Sequence, residues 1–274
     1  MRLSLCNEVL REMPFGAQCE FAAALGYDGL EIAPFTLAGD PRAITAADAA
    51  AVRRTLADSG LACSSLHWLL LAPEGLSITA EDDAVRRETV EVMRRCVDLA
   101  AELGAETLVH GSPKQRMLPE GSEDAARARA VACLRAAAEA AEAAGVTYCI
   151  EPLARDETNF VTTVDEAAEV VAAIGSPAFR TMVDCAATGR NGEDPAALLD
   201  RTLPGGLIAH VQVNDPSRRG PGEGDMRFAP VLGALERHGY AGWVAVEPFV
   251  YVPDGPACAA RAIGYLRGVR EGLA

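Results

Sequence analysis

The chain has 274 residues, half of them hydrophobic, and a formal net charge of −14. That length and apolar share build one large core, and the surplus of acid works against broad contact with a phosphate backbone, which excludes nucleic acid as a partner. Eight cysteines (Cys6, Cys19, Cys63, Cys96, Cys133, Cys149, Cys185, Cys258) stand singly without a CxxC pair, which excludes a zinc ribbon or disulfide framework and leaves reduced core thiols.

Met1 to Asn7 carries too few apolar residues for a signal peptide, and no apolar run is long enough to span a bilayer. We therefore expect a cytoplasmic protein with no membrane partner. Leu3 to Asn7 reads as the first strand. After it a phrase recurs, in which a helix-stopping glycine is followed by a short turn and an apolar, β-branched run. Leu25-Gly26 leads to Gly29–Ala33, Ser59-Gly60 to Leu61–Leu66, and Leu103-Gly104 to Thr107–His110. Ala144-Gly145 leads to the run ending in Glu151, Ile174-Gly175 to Phe179–Asp184, and His238-Gly239 to the run ending in Glu247. Leu207 to Asn214 completes the strands. Between them lie helices rich in Ala, Arg, Glu and Leu: Thr45 to Asp58, Thr79 to Leu103, Ser122 to Ala144 and Asp254 to Leu273. Thr45-Ala46-Ala47-Asp48 has the form of a capping box. Strands alternating with helices, with no break in composition, predict an α/β fold, a single (β/α)8 TIM barrel over residues 1–274. A doubly wound open sheet is the alternative, but no GxGxxG follows the first strand.

Two of the strands end alike, in Ile150-Glu151-Pro152-Leu153 and Val246-Glu247-Pro248-Phe249. A strand buried on both faces that ends in a carboxylate needs a partner for that charge: a metal, a cation or a substrate. Alone, such a Glu is more often a salt-bridged structural group, and the recurrence is what raises the functional case. Glu151, Asp184, Gln212 and Glu247 fall at the carboxyl ends of four successive predicted strands, where barrel active sites lie. Three carboxylates and an amide oxygen are a hard, all-oxygen donor set, suited to Mg²⁺ or Mn²⁺. His67 and His110 fall at the same rim, each either a substrate contact or auxiliary acid/base or an imidazole bonded to a carbonyl in a tight turn. Trp68 and Phe249 suit a hydrophobic wall against a substrate or plain core. Lys114 reads as a solvated lysine and His238 as a helix C-terminal cation. Pro221 to Asp225 is a turn-rich loop of lid-like composition.

These motifs resemble the xylose isomerase-like barrels of the sugar phosphate isomerase/epimerase group, which includes ketose 3-epimerases and hydroxypyruvate isomerases. Glu151-Pro152-Leu153 with Glu157, Val183-Asp184, Gly242-Trp243 with Glu247-Pro248, and above all His210-Val211-Gln212 through Gly224 carry the resemblance. It implies one divalent metal ion, Mn²⁺ or Mg²⁺ with Co²⁺ or Zn²⁺ as alternatives, on Glu151, Asp184, Gln212 and Glu247. The two glutamates would double as the catalytic proton-transfer groups. Glu157 and Arg218 would bind substrate oxygens, with His67, His110, Trp68 and His210 as further substrate contacts. The implied activity is an isomerase or epimerase of a small-molecule substrate, a keto-sugar or hydroxypyruvate, through a cis-enediolate, in a dimer or tetramer. A dehydratase on the same metal site and a non-catalytic sugar-binding barrel are the alternatives. The related endonuclease IV enzymes need many histidines for three zinc ions, whereas this chain has four histidines in all. One departure stands out: Ala187 follows Asp184 where the sugar enzymes of this group generally place a histidine.

Overall fold

The computed structural model describes residues 1–273. Eight parallel strands close into a barrel in sequence order: β1 Arg2–Cys6, β2 Gly29–Ile32, β3 Ala62–Leu66, β4 Thr107–His110, β5 Thr147–Ile150, β6 Phe179–Asp184, β7 Ile208–Val213 and β8 Trp243–Val246, with β8 pairing back onto β1. The returning helices are α1 Phe15–Leu25, α2 Ala46–Asp58, α3 Asp83–Leu103, α4 Glu123–Ala144, α5 Val164–Ile174, the short α6 Cys185–Arg190 and α7 Pro195–Thr202, α8 Ala229–Arg237 and α9 Gly255–Glu271. No helix among the described residues is long and apolar enough to cross a membrane.

Local chemistry sets these boundaries. The Thr45 hydroxyl accepts from Asp48 N while the Asp48 carboxylate accepts from Thr45 N at 2.9 Å, so the capping box that opens α2 is complete. The helix expected from Thr79 begins instead at Asp83. Asp82 caps it by accepting from Ala84 N at 2.7 Å, and the Thr79 hydroxyl is committed to Met117 O at 2.8 Å. β5 and β8 stop one residue before Glu151 and Glu247, because Pro152 and Pro248 cannot donate to a ladder. Both glutamates are thereby left at the rim, just past the last paired residue.

The main core lies between barrel and helices, and a smaller cluster of Val109, Cys149 and Met182 joins three neighbouring strands. β2 and β7 are not neighbours, yet Glu31 meets His210 at 3.3 Å and Gln212 at 3.5 Å. That contact crosses the barrel interior. The buried charge of Glu31 thereby gains partners on β7.

Candidate active site

At the carboxyl rim a cleft is lined by His67, Trp68, Glu151, Glu157, Asp184, Arg190, Arg218, Glu247 and Phe249, among others. Glu151, Asp184 and Glu247 each turn an oxygen inward, and these atoms lie within 4.8 Å of one another. Asp184 is also the cap of α6: its Oδ1 accepts from Ala187 N at 2.5 Å, while its buried Oδ2 has no partner among the described residues. Gln212 lies across the β6–β7 ladder from Asp184, its amide nitrogen directed at Glu31 and its buried Oε1 unpartnered. Three converging carboxylates, one of them with an orphaned oxygen, fit a hard divalent cation, which would relieve both the repulsion and that missing bond. With no cation, burial raises all three acids. Asp184 is pushed up to about 7 and Glu247 to about 8, although contact with His67 pulls Glu247 the other way. Burial, with the charges of Glu247 and Asp184, holds the Glu151 carboxyl well above the usual range.

The surroundings of the two glutamates differ. Glu247 Oε1 meets His67 Nδ1 at 2.9 Å, and Asn214 Nδ2 donates to Glu247 O at 2.9 Å. Glu151 makes no side-chain hydrogen bond among the described residues; it is packed against Gly111, where an added Cβ would stand 2.3 Å from Glu151 Oε2. Behind it lies the fully buried Arg116, held by His110 O at 3.5 Å and Val161 O at 3.4 Å. Burial lowers its guanidinium to about 10, still a cation at neutral pH, with Glu151 among the carboxylates that oppose the shift.

Also at the cleft, Glu157 pairs with Arg190 at 2.7 Å, and Arg218 lies 4.9 Å over the Phe249 ring without an ion pair among the described residues. Phe249 meets Trp68 edge-on at 6.0 Å. Trp68, Ser112 and Arg218 have positive φ (53°, 37° and 67°), three of the four non-glycine residues with such backbones among those described, and all three line the cleft. Arg218 is pinned by its own main chain, donating to Asp215 O and accepting from Phe249 N and Val250 N. Backbone strain concentrated at one cleft is what a site holding side chains in fixed directions produces.

Two residues expected at the substrate are not on the cleft wall. His110 Nδ1 bonds Tyr148 Oη at 2.8 Å, and Tyr148 stacks on Phe179 in the main core. His110 follows Val109, so strand alternation turns it to the other face from the Val109–Cys149–Met182 cluster. Burial, with Arg116 nearby, lowers its imidazole to about 3 and leaves it neutral. His210 is fully buried, engaged with Glu31 across the barrel interior. Burial would raise Glu31, but His210 and His67 outweigh it and hold its carboxyl at about 2. Sequence reading passed over Glu8, Glu31, Arg116 and Arg190. Glu31 alone carried a signal, a charge inside an otherwise apolar strand.

Residues 19–269 match the family described as xylose isomerase-like TIM barrel. The chain is 29% identical to a D-psicose 3-epimerase of Agrobacterium fabrum over 86% of this chain and 80% of that protein. It is 25% identical to a fructoselysine 3-epimerase of Shigella flexneri over 88% of this chain and 87% of that one. Its fold superposes on the crystal structure of a D-psicose 3-epimerase determined in the presence of D-fructose with a TM-score of 0.83, at 22% identity, covering 98% of this chain and 99% of that chain. By its closed barrel and by this match, the chain belongs to the xylose isomerase-like TIM barrel family.

Proposed function

We propose that this protein is a divalent-metal-dependent epimerase of a keto-sugar, with Glu151 and Glu247 as its two proton-transfer groups. The observation that carries the reading is the convergence of Glu151, Asp184 and Glu247 on one point of the rim, where Asp184 Oδ2 has no hydrogen-bond partner among the described residues. Two relatives with 3-epimerase names, each matched over most of its length, support the reaction class.

Glu151, Asp184, Gln212 and Glu247 would hold the ion. When bound, it supplies Lewis acidity that polarises a substrate carbonyl and acidifies the adjacent C–H. Glu151 and Glu247 enter the cleft from different strands, β5 and β8. One removes the proton from carbon and the other returns a proton from the opposite face, which inverts that centre. Arg218 and the Arg190–Glu157 pair bind hydroxyl oxygens, and Trp68 with Phe249 forms an apolar wall along the carbon chain. Ala187 offers no polar contact from its side chain. A second reading, isomerisation of hydroxypyruvate, is favoured by Arg218, whose guanidinium lines the cleft without an ion pair among the described residues and suits a substrate carboxylate.

The test is solvent exchange in D2O. The chelator-stripped protein is incubated with ketoses and with hydroxypyruvate, with and without Mn²⁺ or Mg²⁺, and followed by NMR. We expect metal-dependent loss of the C3 proton signal from a ketose, accompanied by the C3 epimer. Glu151→Gln and Glu247→Gln should each slow epimerisation by roughly 10²–10⁴-fold. Exchange with hydroxypyruvate alone moves the assignment to the second reading, and water loss to a dehydratase. Binding of one metal per chain with no exchange anywhere in the panel sinks the enzymatic reading.

A further inference from the structure

Glu247 is one link of a buried chain that begins at the rim of the neighbouring strand β1. His67, just past β3, has both ring nitrogens engaged: Nδ1 at 2.9 Å from Glu247 Oε1 and Nε2 at 3.0 Å from Glu8 Oε2. Glu8 lies in the helical turn Asn7–Leu10 that follows β1, so the chain ties together the rims of β1, β3 and β8. All three side chains are buried, His67 at 1% and Glu8 at 8% exposure. Their backbones are fixed as well, since His67 N donates to Ile32 O at 3.1 Å and Asn214 holds the Glu247 carbonyl. An imidazole clamped at both nitrogens has no donor left for a substrate. Its effect has to pass through Glu247.

We infer that Glu8 and His67 are a positioning pair for Glu247: they commit its Oε1 and fix its carboxylate plane, leaving Oε2 to face the cleft, while Glu8 in turn fixes the orientation of the His67 ring. This inference rests on the role of Glu247 proposed above. The pair accounts for three observations together. It gives a buried histidine a partner at each nitrogen, it explains a buried glutamate in the first rim turn, and it explains why the chain turns back sharply at Trp68, whose left-handed backbone directly follows the clamped ring. The donor atoms of Cys6, Glu8, His67 and Glu247 also lie within 4.8 Å of one another. We do not read them as a second metal centre, because the ring nitrogens are already bonded and Cys6 Sγ is directed at Glu31 at 3.3 Å. An outer carboxylate that orients an imidazole, which orients a ligand, is a recurrent support for metal sites, and its loss costs about 10–100-fold in affinity or activity.

Two readouts test the pair. The first is Mn²⁺ affinity by calorimetric titration, which needs no substrate. Glu8→Ala should weaken binding about tenfold, and Glu8→Gln, whose amide oxygen can still accept from Nε2, should recover most of that loss. The exposed Glu12→Gln serves as the unchanged control. The ring nitrogens of His67, followed by ¹⁵N NMR without metal, should shift at both positions in Glu8→Ala. The second readout is deuterium wash-in from each C3 epimer separately. If Glu247 serves one face, Glu8→Ala and His67→Asn lose wash-in from the same epimer that Glu247→Gln loses, and keep wash-in from the epimer that depends on Glu151. Unchanged Mn²⁺ affinity in folded Glu8→Ala, or equal loss from both epimers, overturns the inference. If the wild-type protein exchanges no substrate but Glu8→Ala still weakens Mn²⁺ tenfold, the pair stands and the epimerase reading falls.

Discussion

Ile150-Glu151-Pro152 and Val246-Glu247-Pro248 are nearly the same phrase at nearly the same height of the barrel, yet the two carboxylates live in different surroundings. Glu247 is gripped through His67 and Glu8, a hydrogen-bonded chain with defined directions. Glu151 has no side-chain hydrogen bond among the described residues; what acts on it is the bare face of Gly111 and the charge of Arg116. A strand end followed by proline decides where a glutamate stands. The loops after β1, β3 and β4 decide how it is oriented and what charge it carries. One glutamate is therefore held by geometry and the other by field and shape, a division that two acids working on opposite faces of one carbon can use.

The contrast can be broken from either side, and the largest effect should come from Arg116. Arg116→Ala removes a fully buried side chain and a cation whose charge acts on Glu151, and we expect a loss of about 3 kcal/mol in urea unfolding, within the range for disrupting a buried charge cluster. A change below about 1 kcal/mol, the span of an ordinary surface substitution, would show that Arg116 does not hold this side of the site. Gly111→Ala sharpens the contrast with little damage elsewhere. Its Cβ meets only the end of the Glu151 side chain, so the carboxylate must move. We expect kcat to fall about tenfold or more, with the unfolding midpoint nearly unchanged, and wash-in to be lost on the Glu151 face alone.

The smallest effect is a pH slope shared by both sides. A carboxyl raised in the folded state contributes stability that is fully present below its unfolded value, about 4, and is lost as pH rises through the folded value. With Asp184 raised to about 7 and Glu247 to about 8, metal-stripped protein should melt at progressively lower temperature between roughly pH 5 and 8. Saturating Mn²⁺ should flatten that slope, because a cation replaces the protons. A melting temperature insensitive to pH in the stripped protein would argue against a shared acidic site.

Much of this was legible in the sequence because it is written locally. Glycine stops, apolar runs and the Thr45 capping box are decided within a few residues, and they sufficed for the barrel and for the strand-end positions of Glu151, Asp184, Gln212 and Glu247. What escaped depends on long-range placement. Glu8 and Glu247 are joined through a histidine from a third loop, and nothing near Glu8 in the chain announces it. Arg116 and Arg190 looked like ordinary loop and helix arginines until packing set them beside Glu151 and Glu157. His110 was expected at the mouth from its strand-end position, but alternation along β4 turned it the other way.

Asp184 has one further consequence. Its Oδ1 holds the first turn of α6, and that short helix carries Arg190, the partner of Glu157, at its far end. Only Oδ2 is therefore free to coordinate without unravelling the cap, whose loss costs about 1 kcal/mol. Ions that accept a single oxygen from each carboxylate in a tight octahedron leave the helix intact, whereas Ca²⁺, which readily takes both oxygens of a carboxylate, has to compete with it. For a cation bound as proposed, the helix cap would act as a sieve on coordination geometry, and an ion that took both oxygens would disturb Arg190 at the other end of α6.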